Sequence, residues 1–86
     1  MRPPPKPYCA VEFLCGAVRY GVRNATEAEA WAELLEGISD WQPSQQIRDV
    51  YVNNFDGEEH TGYTLTMDTI GLLVAFAEER RTELDG

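Results

Sequence analysis

The side chains that could do chemistry in this 86-residue chain are two thiols, one imidazole and many carboxylates. Nucleophilic catalysis needs a thiol beside a general base, so Cys9 or Cys15 would have to meet His60, the only histidine. The sequence contains no GxSxG motif, and CGAVRYG has too few glycines for a phosphate loop. We therefore expect no enzyme, and a Cys9–His60 or carboxylate pair is the weaker alternative.

Three carboxylates recur along EAEAWAELLEG at helical intervals. Glu29, Glu33 and Glu36 stand at i, i+4 and i+7, on the side opposite Trp31 and Leu35. Neighbouring side chains at this spacing lie about 5–6 Å apart, which is comparable to the spacing of phosphates along a nucleic-acid strand. The row is either a solvated outer face or a rigid array that a basic groove built for DNA or RNA accepts.

A second acidic group lies in NNFDGEEH and consists of Asp56, Glu58 and Glu59. An EF-hand with Gly57 at its sixth position would need carboxylates at Val52 and Tyr63, so a calcium loop of that type is excluded. His60 follows two glutamates, but adjacent strand residues point to opposite faces. We expect neither a metal site nor a cofactor.

The charge of the chain is strongly negative, at −8. Between Asn24 and Glu59 Arg48 is the single basic residue among many acidic ones. Such a field repels nucleic acid and anionic membranes and attracts basic protein surfaces. We expect no direct binding to nucleic acid or membrane, although the charge would also serve solubility alone.

The first elements predicted along the chain are strands. The apolar positions alternate as Cys9, Val11, Phe13 and Cys15, and after Gly16 as Val18, Tyr20 and Val22. Side chains of a strand repeat every two residues, so this one-step change of phase needs a turn or a bulge at Gly16. The pattern predicts a hairpin or one long bent strand over residues 8–23.

A helix over residues 27–36 follows from the next stretch. Thr26 and Glu29 fit a capping box, and Gly37 fits a left-handed C-terminal cap. The predicted apolar stripe consists of Ala28, Trp31, Ala32, Leu35 and Ile38.

IRDVYVNNF and HTGYTLTM read as two further strands, joined by a turn at Asp56-Gly57. That turn places Val50 opposite Tyr63 and Arg48 opposite Leu65. The predicted core face then holds Val50, Val52, Tyr63, Leu65 and Met67, and the opposite face holds Ile47, Tyr51 and Phe55.

A last helix is predicted over residues 69–83, with Asp68 as its N-cap. Its predicted core stripe is Ile70, Leu73, Val74, Ala77 and Leu84. Leu72 and Phe76 fall on a different side, where they are candidates for a dimer contact.

Together these elements predict an α+β fold in the order β(β)αββα: an antiparallel sheet of three or four strands with two helices packed on one face. Residues 1–7 read as a flexible proline-rich tail and residues 8–86 as a single domain. The longest apolar run, Ile70–Ala77, is too short to span a bilayer, and MRPPPKPY is not followed by the apolar core of a signal peptide. We expect a cytoplasmic protein with reduced, buried cysteines.

The order of a strand, an acidic helix and VYVNNFDGEE resembles the N-terminal part of antirestriction proteins that mimic DNA. The resemblance spans about half of the chain and assigns no residue a role. We expect a non-catalytic inhibitor of the phage or plasmid type, anti-CRISPR or antirestriction-like, whose partner is a protein with a basic nucleic-acid-binding surface. The two acidic groups would meet that surface, with Tyr51 and Phe55 as anchors.

The alternative is a homodimeric structural or regulatory accessory domain. In that case the acidic surface serves only solubility, and Leu72, Phe76 or the strand around Tyr51 make the contact between copies.

Overall fold

Six elements follow one another in the order predicted. The computed structural model describes residues 7–56 and 58–85, so the predicted tail lies outside the described residues except for Pro7. The elements are β1 (Tyr8–Cys15), β2 (Val18–Asn24), α1 (Glu27–Gly37), β3 (Val50–Asp56), β4 (Glu59–Leu65) and α2 (Ile70–Asp85). The strands form an antiparallel sheet in the order β2-β1-β3-β4. The α+β fold is therefore confirmed.

The first two strands form a hairpin rather than one bent strand. Cys15 pairs with Val18, so Gly16 and Ala17 make a two-residue turn. Gly16 has φ +61°, and Ala17 does not have a positive φ, which is the pattern of a type II′ turn. Pairing Phe13 with Tyr20 puts the apolar residues before and after the turn on one sheet face, and this explains the change of phase at Gly16.

The second hairpin has a different register from the predicted one. Asp56 pairs with Glu59, and Val50 faces Leu65 instead of Tyr63. The predicted register of this hairpin was wrong by two residues. A shift of two keeps every side chain on its face, and Val50 therefore still lies in the core.

Helix α1 begins as its sequence predicts. The Thr26 hydroxyl accepts a hydrogen bond from the Glu29 N–H at 3.2 Å, which satisfies one of the free donors of the first turn. The core face, however, lies about one position earlier than the predicted stripe. The buried positions are Glu27, Ala30, Trp31, Leu34 and Ile38, whereas Ala28, Ala32 and Leu35 are half-buried.

Gly37 is required by packing and not by a left-handed cap. It is the last residue of α1, and Ile38, with φ −106°, is the capping position. A β-carbon at Gly37 would overlap the hydroxyl of Tyr20 on β2. The predicted left-handed conformation was wrong, because close approach of the helix to the sheet decides this residue.

The segment between α1 and β3 caps the start of α2. The carbonyls of Gln45 and Pro43 accept hydrogen bonds from the N–H groups of Ile70 and Gly71, at 3.0 and 3.1 Å. The predicted N-cap, Asp68, was wrong by one residue: the Thr69 hydroxyl accepts from the Leu72 N–H at 3.3 Å.

Two other predictions about burial were wrong. Ile47 lies before β3 and is buried at 7% exposure, because the strand starts three residues later than predicted. Leu84 is 41% exposed near the end of α2. Among residues 7–56 and 58–85, no helix has the length and apolar character needed to cross a membrane.

The two cysteines lie on the same strand. Cys9 is buried and Cys15 is half-buried, and both are free thiols. Six residues of strand separate their α-carbons by about 20 Å, whereas a disulfide needs less than about 7 Å. The two thiols therefore cannot pair with each other in this fold.

Candidate functional site

The most highly connected side chain is Glu27, in the first turn of α1. Its Oε2 atom accepts hydrogen bonds from Trp31 Nε1 at 3.0 Å, from the Tyr63 hydroxyl at 2.6 Å and from Arg80 Nε at 2.8 Å. Its Oε1 atom accepts from Asn54 Nδ2 at 3.1 Å. One carboxylate thus joins α1 to β3, β4 and α2.

These contacts keep Glu27 ionised although it is only 9% exposed. Burial by itself would raise its pKa, but hydrogen bonds from Arg80, Tyr63, Trp31 and Asn54 lower the pKa to about 2. Burial and the adjacent carboxylate raise the pKa of Tyr63, and the bond to Glu27 raises that of Arg80. The network joins four elements of the fold and therefore acts as a structural link.

The sequence analysis did not single out Glu27. One signal was present: Glu27, Trp31 and Leu34 stand at i, i+4 and i+7 and share the buried face. The partner Arg80 lies 53 residues away, and no local pattern links the two positions.

The predicted carboxylate row is exposed to solvent. Glu29, Glu33 and Glu36 all lie on the outer side of α1. Glu33 accepts a hydrogen bond from Asn24 Nδ2 at 3.3 Å, and its charge adds to burial in raising the pKa of Tyr20. The ion pairs Arg19–Glu12, Arg80–Glu27 and Arg80–Glu83 involve carboxylates outside the row.

The acidic hairpin tip lies at the end of the molecule where α1 begins. Asp56, Glu58 and Glu59 are exposed. Asp56 is two residues beyond Asn54, so both side chains leave the same face of β3, and Asn54 donates to Glu27 in the first turn of α1. The structure therefore brings the tip near the start of the carboxylate row.

The predicted aromatic anchors lie on the other side of the sheet. The face without helices carries a column of side chains, one from each strand: Arg23, Tyr8, Phe55 and His60. The Arg23 guanidinium lies 5.0 Å from the centre of the Tyr8 ring, and Phe55 stacks between Tyr8 at 4.6 Å and His60 at 4.3 Å. Tyr51 is 49% exposed on this face. One flat contact cannot include both the α1 carboxylates and Tyr51.

The Cys9–His60 pair considered for catalysis does not form. Cys9 points into the core, where burial and the charge of Glu27 raise its pKa to about 12. His60 lies on the opposite sheet face, where it stacks on Phe55 and its Nε2 lies 3.0 Å from Asn53 Oδ1. A buried thiol with a raised pKa is a poor nucleophile.

Comparison with known proteins finds no family, no curated protein and no solved structure that matches this chain.

The two residues predicted as dimer contacts differ in environment. Leu72 is 55% exposed on α2. Phe76 is half-buried, and its ring meets that of Trp31 edge-on, with the ring centres 5.5 Å apart. Phe76 thus contributes to the core of its own chain, and Leu72 remains as the accessible apolar residue of the pair.

Proposed function

We propose that this protein is a non-catalytic binder whose acidic surface occupies a basic, nucleic-acid-binding surface of a partner protein. The observation that carries the proposal is the exposed row Glu29, Glu33 and Glu36 on a helix that contains no lysine, arginine or histidine. The tip residues Asp56 and Glu59 extend the acidic surface beyond the start of α1. Tyr51 and Phe55, on the opposite sheet face, are not part of this contact.

The rigidity of α1 supports this function. The helix is capped by Thr26 and tied to both strands of the second hairpin and to α2 through Glu27. A helix that is already held in place loses little backbone conformational entropy on binding. Acidic fields of this kind also accelerate association with cationic partners and make it sensitive to salt.

The finer proposal is an inhibitor of the phage or plasmid type that acts in the cytoplasm, as anti-CRISPR and antirestriction proteins do. Such an inhibitor would replace nucleic acid on a surface that already binds phosphates. Its action requires shape and charge and no reacting group.

The test compares two double variants with the same change in net charge. Glu33→Lys/Glu36→Lys reverses two of the three charges of the row, and Asp49→Lys/Asp68→Lys reverses two exposed acids elsewhere. Tagged wild type and both variants are incubated with host lysate at low and high salt. The bound proteins are then tested for nucleic-acid binding in the presence and in the absence of this protein.

We expect the wild type and the Asp49/Asp68 variant to retain a nucleic-acid-binding partner and to block its binding to nucleic acid. The Glu33/Glu36 variant should lose both properties, and added salt should release the partner. Equal retention by both variants, or a partner that still binds nucleic acid normally, contradicts the proposal.

The homodimer remains a second candidate because Leu72 is 55% exposed. Its test is Leu72→Glu, since Phe76→Glu would disturb the contact with Trp31. If this candidate is right, sedimentation should show a dimer for the wild type and a monomer for Leu72→Glu. If both proteins sediment as monomers, the homodimer is excluded.

A further inference from the structure

A groove of about 770 Å³ is bounded by the end of α1, the loop that follows it and one side of α2. Its most deeply buried lining residues are Ile38 and Ile70, each 1% exposed. Leu35, Trp41 and Val74 line it as half-buried side chains. Sites for small molecules in proteins have volumes of roughly 300–1,000 Å³ and mostly apolar walls. The size and lining of this groove are therefore those of a small-molecule site.

The loop side of the groove is held in place by contacts with two other elements. The Pro43 carbonyl accepts a hydrogen bond from the Gly71 N–H of α2 at 3.1 Å. The Trp41 ring packs edge-on against Tyr20 of β2, with the ring centres 5.4 Å apart. Trp41 also offers a ligand an aromatic contact, and aromatic pairs gain more than their buried area alone provides. The groove thus exists before a ligand enters and suits an aromatic one.

The charges that line the groove balance each other. Glu78 and Arg81 are both exposed and of opposite sign, and Arg81 also interacts within the chain. The carboxylates of the α1 row are not among the lining residues. A charged ligand would lose hydration against the apolar walls and would gain no net attraction from this pair. The lining therefore favours an uncharged ligand.

Two hydroxyl groups line the groove and can only accept hydrogen bonds from a ligand. Ser39 Oγ donates to the Glu36 carbonyl at 3.1 Å, and Thr82 Oγ1 donates to the Glu78 carbonyl at 3.0 Å. A hydroxyl carries one hydrogen and two lone pairs, so each of these oxygens keeps a lone pair but has no hydrogen left to donate. A ligand that carries an N–H or O–H group matches these acceptors.

We propose that this groove binds a small, uncharged aromatic molecule that carries a hydrogen-bond donor. Its ring packs between Leu35, Trp41 and Val74, and its N–H or O–H group donates to the hydroxyl of Ser39 or Thr82. This binding site is separate from the acidic surface of α1 and does not depend on the function proposed for that surface.

The probes are four compounds that share one ring system: indole, N-methylindole, indole-3-acetate and tryptamine. Indole is uncharged and has a donor, N-methylindole lacks the donor, and the other two are an anion and a cation. Each is titrated into the isotope-labelled full chain at about 150 mM salt, which screens the long-range effect of the protein charge. The indole N–H signal of Trp41 reports the groove. That of Trp31, which donates to Glu27 at 3.0 Å in the core, is the internal reference.

We expect indole to shift the Trp41 signal, to leave the Trp31 signal in place and to bind most tightly of the four. N-methylindole should bind about two- to tenfold more weakly, because it cannot donate to the hydroxyl groups. The two charged compounds should bind about tenfold or more weakly, because the apolar walls do not replace their hydration.

Two comparisons of variants locate the ligand. Ser39→Ala/Thr82→Val removes both acceptors and should abolish the preference for indole over N-methylindole. Ser44→Ala/Thr64→Val removes two exposed hydroxyls that do not line the groove and should leave the preference unchanged.

The second comparison uses a charge on α2. Val74→Asp places it in the groove and should weaken indole binding about tenfold or more through the lost apolar contact. Leu72→Asp places the same charge outside the groove and should have no effect. The hydroxyl variants decide the result if Val74→Asp does not fold.

Four outcomes would overturn the inference. They are an unchanged Trp41 signal, equal or tighter binding of a charged compound, an indole preference that survives Ser39→Ala/Thr82→Val, and shifts of the groove signals with protein concentration alone. The last would show that a second copy occupies the groove. Failure here leaves the proposed function untouched, because Glu33→Lys/Glu36→Lys tests residues that do not line the groove.

Discussion

At the scale of single residues, the fold depends on a charged group placed in its interior. Glu27 is buried, yet four donors from three other elements and from its own helix satisfy it. Removing its carboxylate would leave the buried donors of Trp31, Asn54 and Tyr63 without their acceptor, whereas the partly exposed Arg80 would keep Glu83. A small domain has little stability to spare. Glu27 is therefore the polar residue whose loss matters most for folding.

Glu27→Gln should lower the free energy of unfolding at neutral pH and change its pH dependence. The native pKa of Glu27, about 2, is below its ordinary value of 4.5, so its contribution is complete above pH 4.5 and is lost as the pH falls towards 2. Each pKa unit corresponds to about 1.4 kcal/mol, which makes the contribution on the order of 3 kcal/mol.

Urea denaturation between pH 7 and pH 2 measures this effect. The wild type should lose stability between pH 4.5 and 2, and Glu27→Gln should show a smaller decline over that interval. Glu36→Gln, on the exposed side of the same helix, is the matched control and should behave like the wild type. An equal decline in Glu27→Gln would contradict the assignment.

Gly37→Ala tests the close contact between residue 37 and Tyr20. Alanine is the better helix former by about 1 kcal/mol, so helix propensity alone predicts a more stable protein. We expect the reverse, a loss of about 1–3 kcal/mol, because the new methyl group meets the Tyr20 hydroxyl. Thermal unfolding of Gly37→Ala, alone and combined with Tyr20→Phe, separates the effect of helix propensity from that of the steric contact. The added Tyr20→Phe should recover part of the lost stability.

At the scale of elements, the start of each helix is stabilised by a different kind of contact. Helix α1 starts from a local cap at Thr26 and is then oriented by Glu27. Helix α2 starts where the loop after α1 supplies carbonyl acceptors to its first N–H groups.

The start of α2 can be tested by comparing two neighbouring residues. Thr69→Ala removes the side-chain acceptor of the Leu72 N–H and should lower stability by about 1 kcal/mol. Asp68→Ala should have a smaller effect, because the structure gives the capping bond to Thr69. Urea denaturation of both variants provides the measurement, and a larger loss from Asp68→Ala would restore Asp68 as the cap.

At the scale of the whole molecule, the two sides of the sheet are chemically different. The helical side carries the carboxylate row, and the open side carries the column from Arg23 to His60 together with the Arg19–Glu12 pair at 3.6 Å. The net charge of −8 is thus distributed unevenly. A cationic partner should approach the helical side first.

Sheet order predicts the pattern of amide exchange. Strands β1 and β3 are central and bonded on both sides, whereas β2 and β4 are edge strands. We expect amides near Val11 and Val52 to exchange most slowly and those of β4 to exchange fastest among the strands. Hydrogen-exchange NMR gives the order directly. Greater protection in β4 than in β1 would show that another chain covers that edge.

Much of this fold could be predicted from local patterns, because these depend on residues close in sequence. Alternation in strands, the turn at Gly16 and the cap at Thr26 are all set within a few residues. The exposure of Glu29, Glu33 and Glu36 follows from the same helical spacing. Local pattern did not resolve the register of the second hairpin, because a shift of two residues leaves the polar and apolar faces unchanged.

The amino-acid order by itself determined the elements, their sequence along the chain and the acidic character of α1. Only the tertiary structure decided that Glu27 is buried and paired with Arg80, that Gly37 makes room for Tyr20, and that Tyr51 lies away from the carboxylate row. These features join residues far apart in sequence, so their energies depend on packing between elements and leave no periodic signal within any one of them.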